Sequence, residues 1–177
     1  MRIVGGSLSG LAFKSPKNDS THPMSERMRG ALFNTLGDIS GLSVLDPFAG
    51  SAALSFEAAS RGADPVVAIE KNKKAQDAIE SSIDELNLKN IVRLVRASLE
   101  AWLVTDIKSR FNIILVDPPF DNLHAELLKK LVERIRAQGL LILSCPGKSE
   151  PPRLDGLEII KNQKYGDAQL VFYRRIT

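Results

Sequence analysis

The sequence predicts an α/β fold: a doubly wound, mostly parallel sheet that ends in an antiparallel hairpin. Two observations predict it. From Leu42 onward strand-like and helix-like segments alternate, and the strands are near-continuous aliphatic runs, as expected of a parallel sheet covered on both faces. The tail then breaks the alternation. "LEIIKNQKY" and "AQLVFYRR" follow one another across Gly166-Asp167, the signature of an antiparallel pair joined by a tight turn.

Each element follows from its local pattern. Residues 1–40 form a lead-in packed on the core, with "RIVGG" and "GLAFKSP" as two short strands around a Gly/Ser turn. After the polar loop "KNDSTHP", Ser25 caps a helix through Leu36 whose apolar face carries Leu32, Phe33 and Leu36. Residues 41–177 carry the alternating unit, and the two parts make one globular body. "LSVLD" is a strand, "SAALSFEAASRG" a helix stopped by Gly62, and "PVVAIE" a strand. "NKKAQDAIESSIDELNL" is amphipathic, with Ala75, Ile79, Ile83 and Leu86 at spacings of three and four. "IVRLVR" is a strand and Ser98 opens the short helix "LEAWLV". "NIILVD" is a strand, "HAELLKKLVERIRAQ" a helix, and "GLLILSC" a strand.

Composition narrows the function classes. The chain has 177 residues, which suits one domain with a sizeable core. Its longest apolar runs are far too short to cross a membrane, and no secretory signal opens it. One cysteine, Cys145, excludes an intrachain disulfide, and with two histidines no Cys/His metal site is expected. A cytoplasmic protein is the expectation. The net charge of +3 is compatible with a polyanionic partner without identifying one.

In a sheet of this kind ligands bind beyond the carboxyl ends of the strands, so the residues just after each strand matter most. The first such stretch is "LDPFAGSAAL". Its small residues, including Ala49, Gly50 and Ser51, let a ligand approach the backbone at a helix N-terminus. The G-x-G-x-x-G pattern of dinucleotide sites is missing, which disfavours a dinucleotide-dependent oxidoreductase. Asp46 at the turn suits a cofactor bearing positive charge, and S-adenosylmethionine carries a sulfonium and an ammonium. Read blandly, the stretch is an ordinary turn with Ser51 as a cap. Glu70 ends "VVAIE" and could accept both hydroxyls of a ribose. Ser98, at the end of the third strand, could face an adenine edge or simply cap its helix.

The third stretch is Asp117-Pro118-Pro119-Phe120. The two prolines fix φ and supply no N–H, so neither helix nor sheet continues through them. An exocyclic base amine is a poor nucleophile because its lone pair is delocalised into the ring. A carboxylate and a proline carbonyl that accept its two N–H bonds would localise that pair, while Phe120 stacks on the base. Such contact requires an unstacked or flipped-out nucleotide. Trp102 and Cys145 read as core, His124 as a helix start, and Lys71 to Lys74 as a solvated helix start with Lys71 beside the cofactor region.

At this point the sequence resembles the class I S-adenosylmethionine-dependent amino methyltransferases, and more closely the bacterial 16S rRNA guanine-N2 methyltransferases of the guanine-966 type. The residues that carry the resemblance are "RIVGG", "SERMRGALFNTL", "DPFAGSAALSFEAASRGA", "AIEKN", "DPPF" and "YGDAQLVFYRR", nearly the whole chain. The resemblance implies a Rossmann-like, seven-stranded methyltransferase fold over residues 41–177. It also implies methyl transfer to a guanine N2 in small-subunit rRNA or a 30S assembly intermediate, by a monomer. By position, Asp46, Phe48, Ala49, Gly50, Ser51, Glu70, Lys71, Ser98 and Leu99 would hold the cofactor. Asp117, Pro118, Pro119 and Phe120 would hold the base, and Lys14, Arg27, Arg29 and Arg174 the RNA. Ala52 stands where the family usually has a second glycine, and its extra methyl is expected to face the cofactor loop. The family's "RPT" before the first helix is here His22-Pro23-Met24, and Leu11 and Gly30 replace a basic residue and a glutamate. The alternatives are a DNA adenine-N6 or cytosine-N4 amino methyltransferase and a non-catalytic RNA-binding assembly factor of the same fold.

Overall fold

The computed structural model describes residues 1–16, 23–119 and 125–177. Twelve elements follow the chain as α1 (Glu26–Leu36), β1 (Val44–Asp46), α2 (Ala53–Ser60), β2 (Val66–Glu70), α3 (Lys73–Glu85), β3 (Val92–Arg96), α4 (Leu99–Thr105), β4 (Phe111–Val116), α5 (Ala125–Val132), β5 (Ile135–Pro146), β6 (Leu157–Tyr165) and β7 (Ala168–Arg175). The strands form one seven-stranded sheet in the order β3-β2-β1-β4-β5-β7-β6. Strands β1 to β5 pair in parallel, while β7 pairs antiparallel with both β5 and β6. The expected sheet and its closing hairpin are present.

Two apolar layers cover the sheet. Met28, Leu32 and Phe33 of α1, Leu54, Phe56 and Ala58 of α2, and Ile79 and Ile83 of α3 pack on one face. Leu99, Trp102 and Leu103 of α4 and Leu127, Leu128 and Leu131 of α5 pack on the other. The spacing read for α3 is the face it buries, and Asn72 caps it by accepting from Ala75 N. Trp102 and Cys145 are core residues, as expected.

Two expectations need correction. The helical periodicity of "HAELLKKLVERIRAQ" runs past the true end of α5, which stops at Val132. Arg134 O accepts from Phe111 N, Ile135 pairs with Phe111, and the buried Arg134 lies over the Trp102 ring. Pairing with β4 thus overrides helix propensity there. In the lead-in, the two expected strands reduce to a single bridge, Arg2 with Ala12. Instead of extending the sheet, this hairpin is bonded to α2. Ser7 N donates to Ser60 O, Leu8 N to Ser60 Oγ, and Phe13 meets Phe56 edge-on at 5.1 Å. Gly6 sits so close that a Cβ there would lie 2.0 Å from Ser60 O.

Candidate active site

The carboxyl ends of β1, β2 and β4 bring three acids together. Asp46 closes β1, Glu70 closes β2 and Asp117 follows β4. β1 lies between β2 and β4, so Asp46 is the centre of the set. It is 1% exposed; its Oδ2 accepts from Ser55 Oγ at 2.7 Å, and its Oδ1 has no partner among the described residues. Burial raises its pKa to about 7 against the Ser55 hydrogen bond, and the charges of Asp117 and Glu70 push the same way. A buried carboxylate oxygen left unpaired is costly. A cationic group at this point would both pair it and favour its ionised form.

The loop after β1 is shaped by its backbone. Gly50 takes φ 57° and its N–H donates to Glu70 Oε2 at 2.7 Å. Glu70 Oε1 accepts from Asn72 N, also at 2.7 Å. Ala49 N donates to Ile69 O, and Phe48 is half-buried against the α4–α5 layer. Ser51 is buried but does not cap α2. The cap position is Ala52, in the left-handed region at φ 59° with no side-chain hydrogen bond. The Ala52 side chain is wholly buried and packs within the core cluster.

Asp117 lies against Met24, Leu54, Ile142, Ser144 and Leu170. Burial raises its pKa, opposed by the Ser144 hydroxyl. Pro118 is buried and Pro119 exposed, while Phe120 and His124 lie outside the described residues, as does His22. Ser98 is half-buried; its hydroxyl accepts from Ala101 N as the cap of α4, and Leu99 is in the core. The capping role therefore accounts for the serine side chain and leaves the backbone to face a ligand. Lys71 is exposed beside Glu70.

The cations expected to hold RNA do not converge. Arg29 is fully buried: its Nε donates to Glu57 Oε2 at 3.3 Å and its Nη2 to Arg2 O at 2.6 Å. It holds the lead-in and cannot reach a phosphate. Arg174 pairs across from Leu140, near the amino end of the parallel strands and away from the acids. Lys14 binds Ser81 Oγ and Glu85 near the end of α3, also toward that amino edge. Only Arg27, exposed near the start of α1, lies toward the catalytic edge. Its charge acts on the hydroxyl of Tyr165, the last residue of β6.

Three residues of this region escaped the sequence reading. Ser55 binds Asp46, Ser144 faces Asp117, and Glu57 accepts from Val4 N, Gly5 N, Arg29 Nε and Arg61 Nε. The signal was a Ser and a Glu within a helix whose eight residues are all buried. Such polar side chains need internal partners.

An acid-lined, small-residue turn on this seven-stranded topology defines a class I S-adenosylmethionine-dependent methyltransferase. The family model described as "Conserved hypothetical protein 95" matches residues 1–174. The Ribosomal RNA small subunit methyltransferase D of Escherichia coli (strain K12) is 32% identical over 142 residues, spanning 80% of this chain and 69% of that one. YlbH of Bacillus subtilis (strain 168) is 27% identical over 182 residues, 99% of either chain. The solved structure of yhhF from Escherichia coli superposes with a TM-score of 0.89 at 27% identity, covering 99% of this chain and 98% of the other. The chain belongs to this family of rRNA methyltransferases.

Proposed function

We propose that this protein transfers a methyl group from S-adenosylmethionine to the N2 amine of a guanine in 16S rRNA. The observation that carries the reading is the pair of acids at the ends of β1 and β4: Asp46, buried with one oxygen unpaired among the described residues, and Asp117, half-buried and opening a Pro-Pro turn. When bound, S-adenosylmethionine supplies an electrophilic methyl on a sulfonium. Asp46 and the Gly50–Ser51 loop would hold its charged methionine end, and Glu70 its ribose. The backbone at Ser98 and Leu99 flanks its adenine.

Asp117 and the Pro118 carbonyl accept the two N–H bonds of the amine. That contact turns the nitrogen lone pair out of the ring and toward the methyl. The N–C bond forms as the C–S bond breaks, and the nitrogen then loses one proton. A carboxyl whose pKa is raised by burial is suited to receive it. The exposed Pro119 lies next to where the extruded base would rest, and Phe120 is expected from the sequence alone to stack on it. These effects are positioning and electrostatics, with no covalent enzyme intermediate.

The test supplies methyl-labelled S-adenosylmethionine with naked 16S rRNA, 30S particles or duplex DNA. Label is expected in the rRNA of one or both of the first two. Label in DNA alone would replace this reading with the DNA amino methyltransferase, and RNA binding without label anywhere would replace it with an inactive assembly factor.

A further inference from the structure

We propose that the amino edge of the sheet, opposite the acids, carries a second RNA-binding surface built on Arg93, Lys108, Arg110 and Arg136. The proposal rests on the rRNA reading above and adds a contact remote from the reacting base.

All four side chains are exposed, and their contacts make them one row. Arg93, at the start of β3, and Lys108, in the loop before β4, share a groove with Val95, Trp102 and Ile107. Arg110 Nη1 donates to the carbonyls of Ile107 and Ser109 at 3.1 and 3.0 Å, which sets its guanidinium on the rim of that groove. Arg136 Nε donates to Arg110 O at 3.2 Å and continues the row onto β5. Four inter-strand steps separate β3 from β5, so the row is about 19 Å long.

Among the described residues none of these four cations enters an ion pair, a state they share with other exposed cations; what sets them apart is that they lie side by side along one edge. The groove also holds one acid, Asp106, whose carboxylate accepts the Ser109 N–H and hydroxyl at 2.9 and 2.7 Å; four cations against this one acid leave the row positive. Like charges held side by side repel unless a polyanion neutralises them. The Ile107 and Val104 side chains, 63% and 73% exposed, stand beside the row and offer an apolar shelf for a ribose or base. Cations interleaved with apolar surface suit a nucleic-acid backbone, and such contacts fix register while other contacts specify sequence.

The geometry separates this surface from the catalytic one. β4 runs six residues from the groove to Asp117, about 20 Å of extended chain. An RNA touching both must be a folded molecule that wraps the edge of the sheet. A stem–loop whose helix is shorter than about 20 Å, seated by its loop at Asp117, does not reach the row.

The experiment compares the wild-type protein with R93E/K108E and R93Q/K108Q, whose replaced head groups make no hydrogen bond among the described residues. Transfer and filter binding are measured on full 16S rRNA and on a short stem–loop. On 16S rRNA the charge reversal is expected to raise KM and Kd about tenfold and to reduce the salt slope of binding by about 1.5. The glutamine pair should fall between it and wild type, with kcat and S-adenosylmethionine affinity unchanged in both. On the stem–loop no variant should differ from wild type. Unchanged Kd and salt slope on 16S rRNA would overturn the proposal. Equal losses on both RNAs would also overturn it. Wild-type protein that methylates no rRNA fails the functional reading instead, and filter binding still decides the surface.

Discussion

Glu70 Oε2 accepts the Gly50 N–H at 2.7 Å, tying the end of β2 to the turn after β1. One carboxylate therefore shapes the loop, and the same group is the one proposed to meet the ribose. Glu70→Gln is expected to weaken S-adenosylmethionine binding about tenfold, the order of one charge-assisted hydrogen bond. Isothermal titration reads it, and an unchanged affinity would remove Glu70 from the cofactor site.

The proposed contact of Asp46 with the cofactor's ammonium would make cofactor affinity depend on pH. Its pKa in the free protein is about 7, and a bound ammonium favours the ionised form, so binding near neutrality releases a proton. Affinity is expected to tighten as pH rises from 5.5 to 8, roughly the span of that titration. Asp46→Asn should flatten the profile. The stability sign is opposite: the folded carboxyl binds its proton more tightly than the unfolded one. Its contribution is therefore fully present below about pH 4 and is lost as pH rises toward about 7. A flat affinity profile for the wild type would contradict the assignment.

Ala52 tests the turn from the other side. Its left-handed φ of 59° costs roughly 1–2 kcal/mol relative to glycine, while its buried methyl returns about 0.8 kcal/mol. The two nearly cancel, so Ala52→Gly should shift stability by less than about 1 kcal/mol by chemical denaturation. That near-balance explains why alanine is tolerated here. Ala52→Val adds a β-branched side chain at positive φ in a closed core and is expected to cost more than about 2 kcal/mol. Equal midpoints for the valine variant and the wild type would refute the backbone argument.

Arg29 and Arg27 should fail differently. Arg29→Ala leaves Glu57 buried against Val4 N, Gly5 N and Arg61, and the loss is about 3 kcal/mol of stability. Arg27→Ala should leave the melting temperature alone and weaken RNA binding about threefold, the order of one exposed phosphate contact. Thermal melts and filter binding, done on both variants, separate the two roles. A stable Arg29→Ala protein with weakened RNA binding would restore the contact expected from sequence.

The succession of strands along the chain and the turns at Asp46, Glu70 and Asp117 were legible because aliphatic runs and breakers act locally, whereas the spatial order of the strands was not. The end of α5 was not, since "VERIRAQ" has helical periodicity and only the pairing of Ile135 with Phe111 ends it. The cations were read worst. Arg27 and Arg29 are two residues apart on a helix, so they face different sides, and only the position of α2 decides that Arg29 is the buried one. The same holds for Arg174, whose distance from the acids depends on the register of β7 against β5.

The most direct measurement is a mass-spectrometric map of nucleosides in 16S rRNA after incubation with S-adenosylmethionine and either wild-type or Asp117→Ala protein. N2-methylguanosine is expected at one position with the wild type and none with the variant, whose cofactor affinity is unchanged. Methylation on another atom or base, or full modification by Asp117→Ala, would contradict the proposed function.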